Sequence, residues 1–539
     1  MTAADRARVR AERVFVDGRV YRRGIAGAPA QALAVSAGRV AAVGTSVGMR
    51  ALAAPGAEVV GLDGGAVVAG FHDAHLHLAA GSLARAHVDL TDCDDPEEAG
   101  GRVAERAATL PEGAWIRGRG WDHSRWPGSR WPTKATLDRA APRHPVFLWR
   151  IDGHVAWLNS AALEAVGYGR GAADPEGGAI VRDPVSSECS GILLERAADL
   201  AATAVPPESD AERRAALERG LHDLAVHGVT SVADVLAPWA LPIYSALRRE
   251  GRLTARISSW LPLEMDLAEA RATRDAFPAT DPWIAVATLK VFLDGTLGSR
   301  TAALGEPYGD APETAGSLRV DPGWLNERVR AADSEGWKVA MHAIGDRAVR
   351  AALDAVERLG GGARASHRIE HVQVATRGDV GRFAELGVAA SVQPAHWVED
   401  RRWIADRLGT RQSAIAYPWR SLVRHGAVVA LGTDWPVAPL DPMNTLEAAV
   451  TRAQWAGAGR DASATDERLS LEQAWEAYTL GSARAAGVDL DRGALEPGAH
   501  ADFVVLSDDP RSDGGGGLQD VRVLGTYVAG RRVHPEREV

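Results

Sequence analysis

The sequence predicts an α/β fold: a parallel (β/α)8 barrel, a small β-sandwich formed by both termini, and a subdomain inserted after the first barrel strand. Three observations lead there. Eight strand-like apolar runs in the middle of the chain each end in polar residues or turn formers, and most are followed by a helical stretch such as 347–359 or 379–386. The two chain ends read instead as short strands joined by tight turns. Finally, about 150 residues separate the first run from the second, where a loop and a helix would suffice.

The amino-terminal strands are expected at 13–20 and 33–40, with breaks at Asp17-Gly18 and Ala37-Gly38 that suit hairpins. Similar runs recur at 501–506, 521–528 and 530–533, interrupted by a glycine-rich loop at 514–517. The two ends are therefore expected to pair as one composite β-sandwich of residues 1–66 and 488–539. The barrel is expected over 67–487, with its strands at 67–77, 229–235, 253–263, 284–294, 338–344, 368–374, 389–396 and 428–434. Repeated strand–helix units also suit a doubly wound sheet, but eight of them favour the closed barrel. The excess after the first strand gives an inserted subdomain at 78–205.

Composition excludes several function classes. A net charge of −10 argues against a nucleic-acid or anionic-membrane surface. No apolar run reaches the roughly 18 residues of a membrane span. The charged stretch 1–13 lacks the apolar segment of a secretory signal. Two cysteines, Cys93 and Cys189, are too few for a disulfide scaffold. The expectation is a soluble, cytoplasmic protein with a small-molecule substrate and neither nucleic acid nor membrane as partner; a homodimer is allowed.

The chemistry concentrates at the ends of the barrel strands. Alternation along a strand points His75 and His77 the same way, so the first strand delivers two imidazoles to its carboxyl end. Asp73 shares that face and could orient an imidazole. The fourth strand buries Lys290, one of three lysines among 61 basic residues. A lysine in so apolar a run needs a salt bridge or neutralisation, and a carbamylated amine supplies a metal-bridging carboxylate that arginine cannot. His342 and His371 end the fifth and sixth strands; Asp434 ends the eighth, with small residues in phase that leave room for substrate. Asp346 reads as a helix N-cap. A lone histidine on an apolar strand is ordinarily a packed core residue. Here six candidate ligands, His75, His77, Lys290, His342, His371 and Asp434, fall in order on strand ends, and their joint placement carries the argument. Nitrogen and oxygen ligands without thiolate suit Zn2+, with Mn2+, Co2+ or Fe2+ less favoured. They suffice for one ion or for two ions about 3.5–4 Å apart.

With those residues in view, the chain resembles the amidohydrolase superfamily, and within it the family-3, YtcJ-like branch. The likeness lies in Gly70-Phe71-His72-Asp73-Ala74-His75-Leu76-His77, Leu289-Lys290-Val291-Phe292-Leu293-Asp294-Gly295-Thr296-Leu297-Gly298-Ser299-Arg300, and His342-Ala343-Ile344-Gly345-Asp346. It continues in Arg368-Ile369-Glu370-His371, Gln393-Pro394-Ala395-His396, Gly432-Thr433-Asp434-Trp435-Pro436 and the closing segment 493–502. Gly120-Trp121-Asp122 and the segment 152–160 are similar to the family's inserted domain. The resemblance implies a TIM-like, metal-bearing barrel that hydrolyses non-peptide carbon–nitrogen bonds. One departure is His72, where the family usually has an aliphatic residue; it lies out of phase with His75 and His77.

The expected reaction is hydrolysis of an amide, N-acyl or N-formyl bond, with Asp434 taking a proton from water and delivering it to the leaving amine. His371, His154 and His396 are candidates for polarising the carbonyl or holding substrate. Six of the seventeen tryptophans, Trp121 among them, lie in the insertion and could wall an apolar or aromatic amide. A lactonase, deaminase or phosphotriesterase could use the same ligands. A catalytically silent scaffold on this fold is the rival of a different class.

Overall fold

The computed structural model describes residues 10–150, 155–168, 171–360, 366–413, 416–452, 467–512 and 517–535. His154, and all but Gly517 of the glycine-rich loop, lie outside them. The chain divides into two compact units, one formed by Met1–Ala80 with Glu218–Val539 and the other by Gly81–Leu217.

The first unit contains an eight-stranded parallel sheet in sequential order. Its strands are β1 (Phe71–Leu76), β2 (Val229–Asp234), β3 (Arg256–Pro262), β4 (Ile284–Phe292), β5 (Lys338–Ala343), β6 (Arg368–His371), β7 (Ala389–Val392) and β8 (Val429–Leu431). Every residue of β1, β2, β6, β7 and β8 is buried, as expected for parallel strands covered on both faces. The fold is the expected (β/α)8 barrel. Just beyond β8 the chain meets β1: Asp434 N donates to His75 O at 2.7 Å and His77 N to Trp435 O at 2.8 Å. Gly432 permits this approach, because a Cβ there would lie 2.6 Å from His75 N. The Asp73 carboxylate reinforces it by accepting Thr433 N at 3.2 Å, Thr433 Oγ1 at 2.8 Å and Tyr478 Oη at 3.1 Å.

Three helices follow the later strands. α1 (Asp346–Glu357) buries Ala348, Val349, Ala352, Leu353 and Val356 on one stripe, the helical period of an amphipathic element. α2 (Arg377–Glu385) is capped by Thr376, whose hydroxyl accepts Asp379 N. α3 (Pro394–Asp400) begins with proline, which has no amide hydrogen to leave unsatisfied. Asp346 differs from expectation. Gly345 occupies the N-cap, and Asp346, the first residue of α1, turns its Oδ1 to accept Gly305 N at 2.8 Å.

The run expected as one strand over 67–77 is two. Ala66–Ala69 pairs antiparallel with Phe503–Leu506 and parallel with Arg19–Val20, in a five-stranded sheet shared by the two chain ends. After Gly70 the chain passes into β1. A Cβ on Gly70 would lie 2.3 Å from Thr230 Oγ1, so a side chain would obstruct the junction. A second sheet joins Ala11–Val16, Ala32–Ser36, Arg39–Gly44 and Ala53–Gly61. Arg256 at the start of β3 grips Asp502 with two bonds of 2.6 and 2.9 Å, a buried bidentate tie between barrel and terminal sheet.

The second unit is built on a six-stranded mixed sheet. Its core includes Leu90, Val103, Ile116, Trp126, Leu148 and Trp157. Cys93 and Cys189 are buried and unpaired. No helix among the described residues is long and apolar enough to cross a membrane.

Candidate metal centre

The carboxyl ends of β1, β4, β5 and β6 and the turn after β8 converge on one buried cluster. Asp434 is its hub. Its Oδ1 lies 3.2 Å from His77 Nε2 and 3.5 Å from His75 Nε2, and its Oδ2 lies 3.4 Å from His396 Nε2. His75, His77 and Asp434 form one group of ligand atoms with mutual separations within 4.8 Å; His371, His396 and Asp434 form a second, sharing the same carboxylate. His342 stands beside them, its ring 4.4 Å from that of His371. His342 Nε2 donates to Gly295 O at 3.2 Å, which leaves Nδ1 as its lone-pair nitrogen.

The backbone is bent to deliver these groups. His371, Val372 and Asp434 adopt left-handed φ of 76°, 46° and 58°, conformations that non-glycine residues take at a penalty of about 1–3 kcal/mol each. Surrounding hydrogen bonds hold the bends, including Val372 N to Ala343 O at 3.1 Å. Asp294, after β4, accepts the amides of Ala303, Ile344 and Gly345, fixing the long loop beyond β4 to the end of β5.

Glu370, unassigned on sequence grounds, orients the first ligand. Its Oε2 lies 2.7 Å from His75 Nδ1, and Arg368 holds the same carboxylate with bonds of 2.6 and 3.1 Å. All three residues are buried. The carboxylate holds the proton of His75 on Nδ1 and leaves Nε2 as a lone pair facing the cluster. Asp73 does not take the orienting role; besides the Thr433 and Tyr478 bonds it accepts the backbone amide of His75 at 3.1 Å. The signal for Glu370 was the Arg-x-Glu alternation in an apolar strand, since two such charges on one face must pair when buried.

Burial keeps the imidazoles of His75, His342 and His371 neutral. Burial pushes the His75 pKa down to about 4, with Lys290 adding to the effect and Glu370 opposing it. His342 falls to about 3 and His371 well below its ordinary value, again chiefly through burial. Burial alone would raise Asp434, but the adjacent imidazoles of His77, His75 and His396 hold it well below the usual carboxylate range. The centre thus offers neutral nitrogen donors and an anionic oxygen donor.

Lys290 projects into the same region from β4. Burial brings its amine down to about 8, and Nζ lies 4.9 Å from the Phe292 ring centre and 6.0 Å from that of Trp260. It has no hydrogen-bond or ion-pair partner among the described residues. The salt bridge that would have explained a buried lysine is therefore not made there. Among the described residues, Lys290 Nζ, His371 Nδ1, His396 Nε2 and Asp434 Oδ1 are all buried without a hydrogen bond. That many orphaned polar atoms around one carboxylate fit a divalent cation, because burial without a partner is otherwise expensive.

A cavity of about 580 Å³ opens from the cluster, walled by Leu297, Ile344, Trp403, Val437 and Pro439, with Gln373 and His396 at its polar end. Trp121 lies in the second unit, fully buried, its indole donating to Leu148 O at 2.9 Å and packed against Trp126 and Trp157.

Residues 58–534 match the model of the Amidohydrolase family. The chain is 34% identical to "Protein LONG AFTER FAR-RED 3" of Arabidopsis thaliana over 94% of its length and 88% of that protein's. It is 30% identical to an N-substituted formamide deformylase of Arthrobacter pascens, covering 93% and 94% of the two chains. The structure of a metal-dependent hydrolase of Pyrococcus horikoshii superposes with a TM-score of 0.78 at 30% identity, covering 94% of this chain and 99% of that one. A match of this extent, on a barrel that gathers its donors at one end, has one consequence: the chain belongs to the amidohydrolase family, a family of hydrolases.

Proposed function

We propose that the protein is a metal-dependent amidohydrolase that cleaves a non-peptide carbon–nitrogen bond, amide or N-formyl, in a small molecule with an apolar substituent. The observation that carries this reading is the convergence of imidazoles on Asp434 beside a largely apolar cavity. The formamide deformylase relative supports the choice of bond.

His75, His77, Lys290, His342, His371 and Asp434 are the residues we assign to the metal, Zn2+ first. When bound, such an ion lowers the pKa of water and polarises a carbonyl. Asp434 accepts the proton released when water attacks the carbonyl carbon. It then delivers that proton to the amine nitrogen as the carbon–nitrogen bond breaks. A carboxylate suits both tasks because its low pKa here keeps it ionised before each turnover. The apolar walls hold the substituent and exclude water around the reacting bond.

Lys290 suits carbamylation. Its depressed pKa makes the neutral amine accessible near physiological pH, and the buried Nζ has no hydrogen-bond partner among the described residues. Addition of CO2 to the amine forms a carbamate and releases one proton, converting the lysine into an oxygen donor.

Asp434→Asn tests the assignment. The variant should retain metal in part and lose hydrolysis, read by metal analysis and by amine release from a panel of amides, esters and phosphotriesters. Turnover near the wild-type rate would remove Asp434 from the mechanism, and turnover of esters alone would replace the amide reading.

A further inference from the structure

Asp234 ends β2, is fully buried, and is not one of the six residues assigned to the metal. Its Oδ1 accepts the backbone amide of Ala79 at 3.2 Å, and its Oδ2 accepts the hydroxyl of Tyr244 at 2.8 Å. Tyr244 is equally buried. Both oxygens thus face donors of the protein itself, and Asp234 stands outside the two ligand groups around Asp434.

The Ala79 amide matters because of what precedes it. β1 ends at Leu76 and a helix, Leu78–Ala86, begins two residues later, so His77 occupies the N-cap position. The first amides of a helix have no partner within it, and a Ser, Thr, Asp or Asn at the N-cap ordinarily accepts one of them. His77 does not play that part: its Nε2 is turned to Asp434 Oδ1 at 3.2 Å. A side chain committed to the centre leaves its own helix without a cap. Asp234 supplies the missing acceptor from β2, the strand paired with β1.

The two histidines of β1 are therefore held by different means. His75 is oriented through its ring, by Glu370 at Nδ1. His77 is held through its backbone. Its amide donates to Trp435 O at 2.8 Å, and the carbonyl of Leu76 just before it accepts Val235 N at 3.0 Å. Two residues beyond His77, Asp234 fixes Ala79, so the end of β2 grips the chain on both sides of the histidine. The side chain of His77 is 26% exposed against 1% for His75, so packing constrains its ring less and the backbone must do more.

We propose that Asp234 is a positioning residue: it caps the helix that His77 does not cap, and so fixes the direction in which His77 presents Nε2 to the centre. The ligand role of His77 rests on the hydrolase reading above; the cap does not. Asp234 acts through the backbone of residues 77–79 and not on the reacting bond.

The test is zinc affinity, measured by competition against chromophoric chelators, in Asp234→Ala and Asp234→Asn. Alanine should weaken binding roughly 10–100-fold. Asparagine should recover most of that loss, because its carbonyl accepts from Ala79 N while the Tyr244 hydroxyl turns to accept from the side-chain amide. Leu353→Ala, in the buried stripe of α1, is the control for a general loosening of the barrel. An equal loss of affinity in that control, or no recovery in Asp234→Asn, overturns the proposal. In a His77→Ala background, Asp234→Ala should cause no further loss of affinity, and a further loss there overturns it as well. The cap is read separately in metal-free protein, where the Ala79 amide should exchange its hydrogen about tenfold faster in Asp234→Ala than in the wild type. Unchanged exchange removes the cap and the proposal with it. If the wild type binds no zinc, the hydrolase reading fails together with the ligand role of His77, and exchange at Ala79 alone decides the cap.

Discussion

Replacing Glu370 by glutamine separates two functions that one carboxylate performs. Glu370 is fully buried, pairs with the equally buried Arg368, and accepts from His75 Nδ1. Glutamine keeps the shape but has a single acceptor oxygen, so its NH2 must face either the guanidinium or the imidazole N–H. Leaving Arg368 buried without a counter-charge should destabilise the barrel by about 3–5 kcal/mol. Freeing His75 from its fixed orientation should weaken metal binding about 10–100-fold, which is roughly 1.4–2.8 kcal/mol at 1.4 kcal/mol per decade. The double variant Arg368→Leu/Glu370→Gln distinguishes the two effects: it removes the stranded charge and should recover much of the stability, while the loss of metal affinity persists. Urea unfolding of metal-free protein reads the first quantity, and competition against a chromophoric chelator reads the second. Metal affinity within threefold of wild type in both variants would refute the orienting role of Glu370.

Two further outcomes follow from buried bases. His72 is buried, its Nδ1 without a hydrogen-bond partner among the described residues, and burial, with Arg492 and Arg368 nearby, brings it down to about 3. Its folded pKa lies below the unfolded value of about 6.5, so as pH falls the unfolded chain protonates first and stability is lost from pH 6.5 downward. At pH 5 that loss is about 2 kcal/mol; His72→Leu should remove it, and an unchanged acid slope in thermal unfolding between pH 5 and 8 would contradict the assignment. Lys290→Ala should abolish turnover, with partial recovery on adding acetate as a substitute carboxylate; full activity without acetate would exclude a carbamate at this position.

Much of the barrel was legible because its signals are local. Each strand is a short apolar run that ends in a polar residue, and alternation alone puts His75 and His77 on one face. What escaped depends on partners distant in the chain. The break at Gly70 exists because Ala66–Ala69 pairs with the Phe503–Leu506 strand whereas the run from Phe71 pairs with β2, where Thr230 leaves no room for a side chain at the junction. Asp73 looked like an orienting group, but Thr433 and Tyr478, far along the sequence, claim its oxygens. Glu370 carries no ligand signature of its own; its role arises only when β6 meets His75. The left-handed φ at His371 and Asp434 is equally silent in sequence: histidine and aspartate adopt it more often than most non-glycine residues, but the great majority of them do not. Trp121 counted as a substrate wall on composition, whereas in the structure it fills the core of its own unit.

The central claim is metal-dependent hydrolysis of a carbon–nitrogen bond at the Asp434 cluster. It is tested most directly by amine release from a neutral N-substituted formamide, measured on purified protein, after chelation, and after return of Zn2+ in known stoichiometry. The account predicts turnover that disappears with the metal and returns with one or two ions per chain. Turnover that survives complete removal of metal, or a fully loaded protein that cleaves no amide, would contradict it.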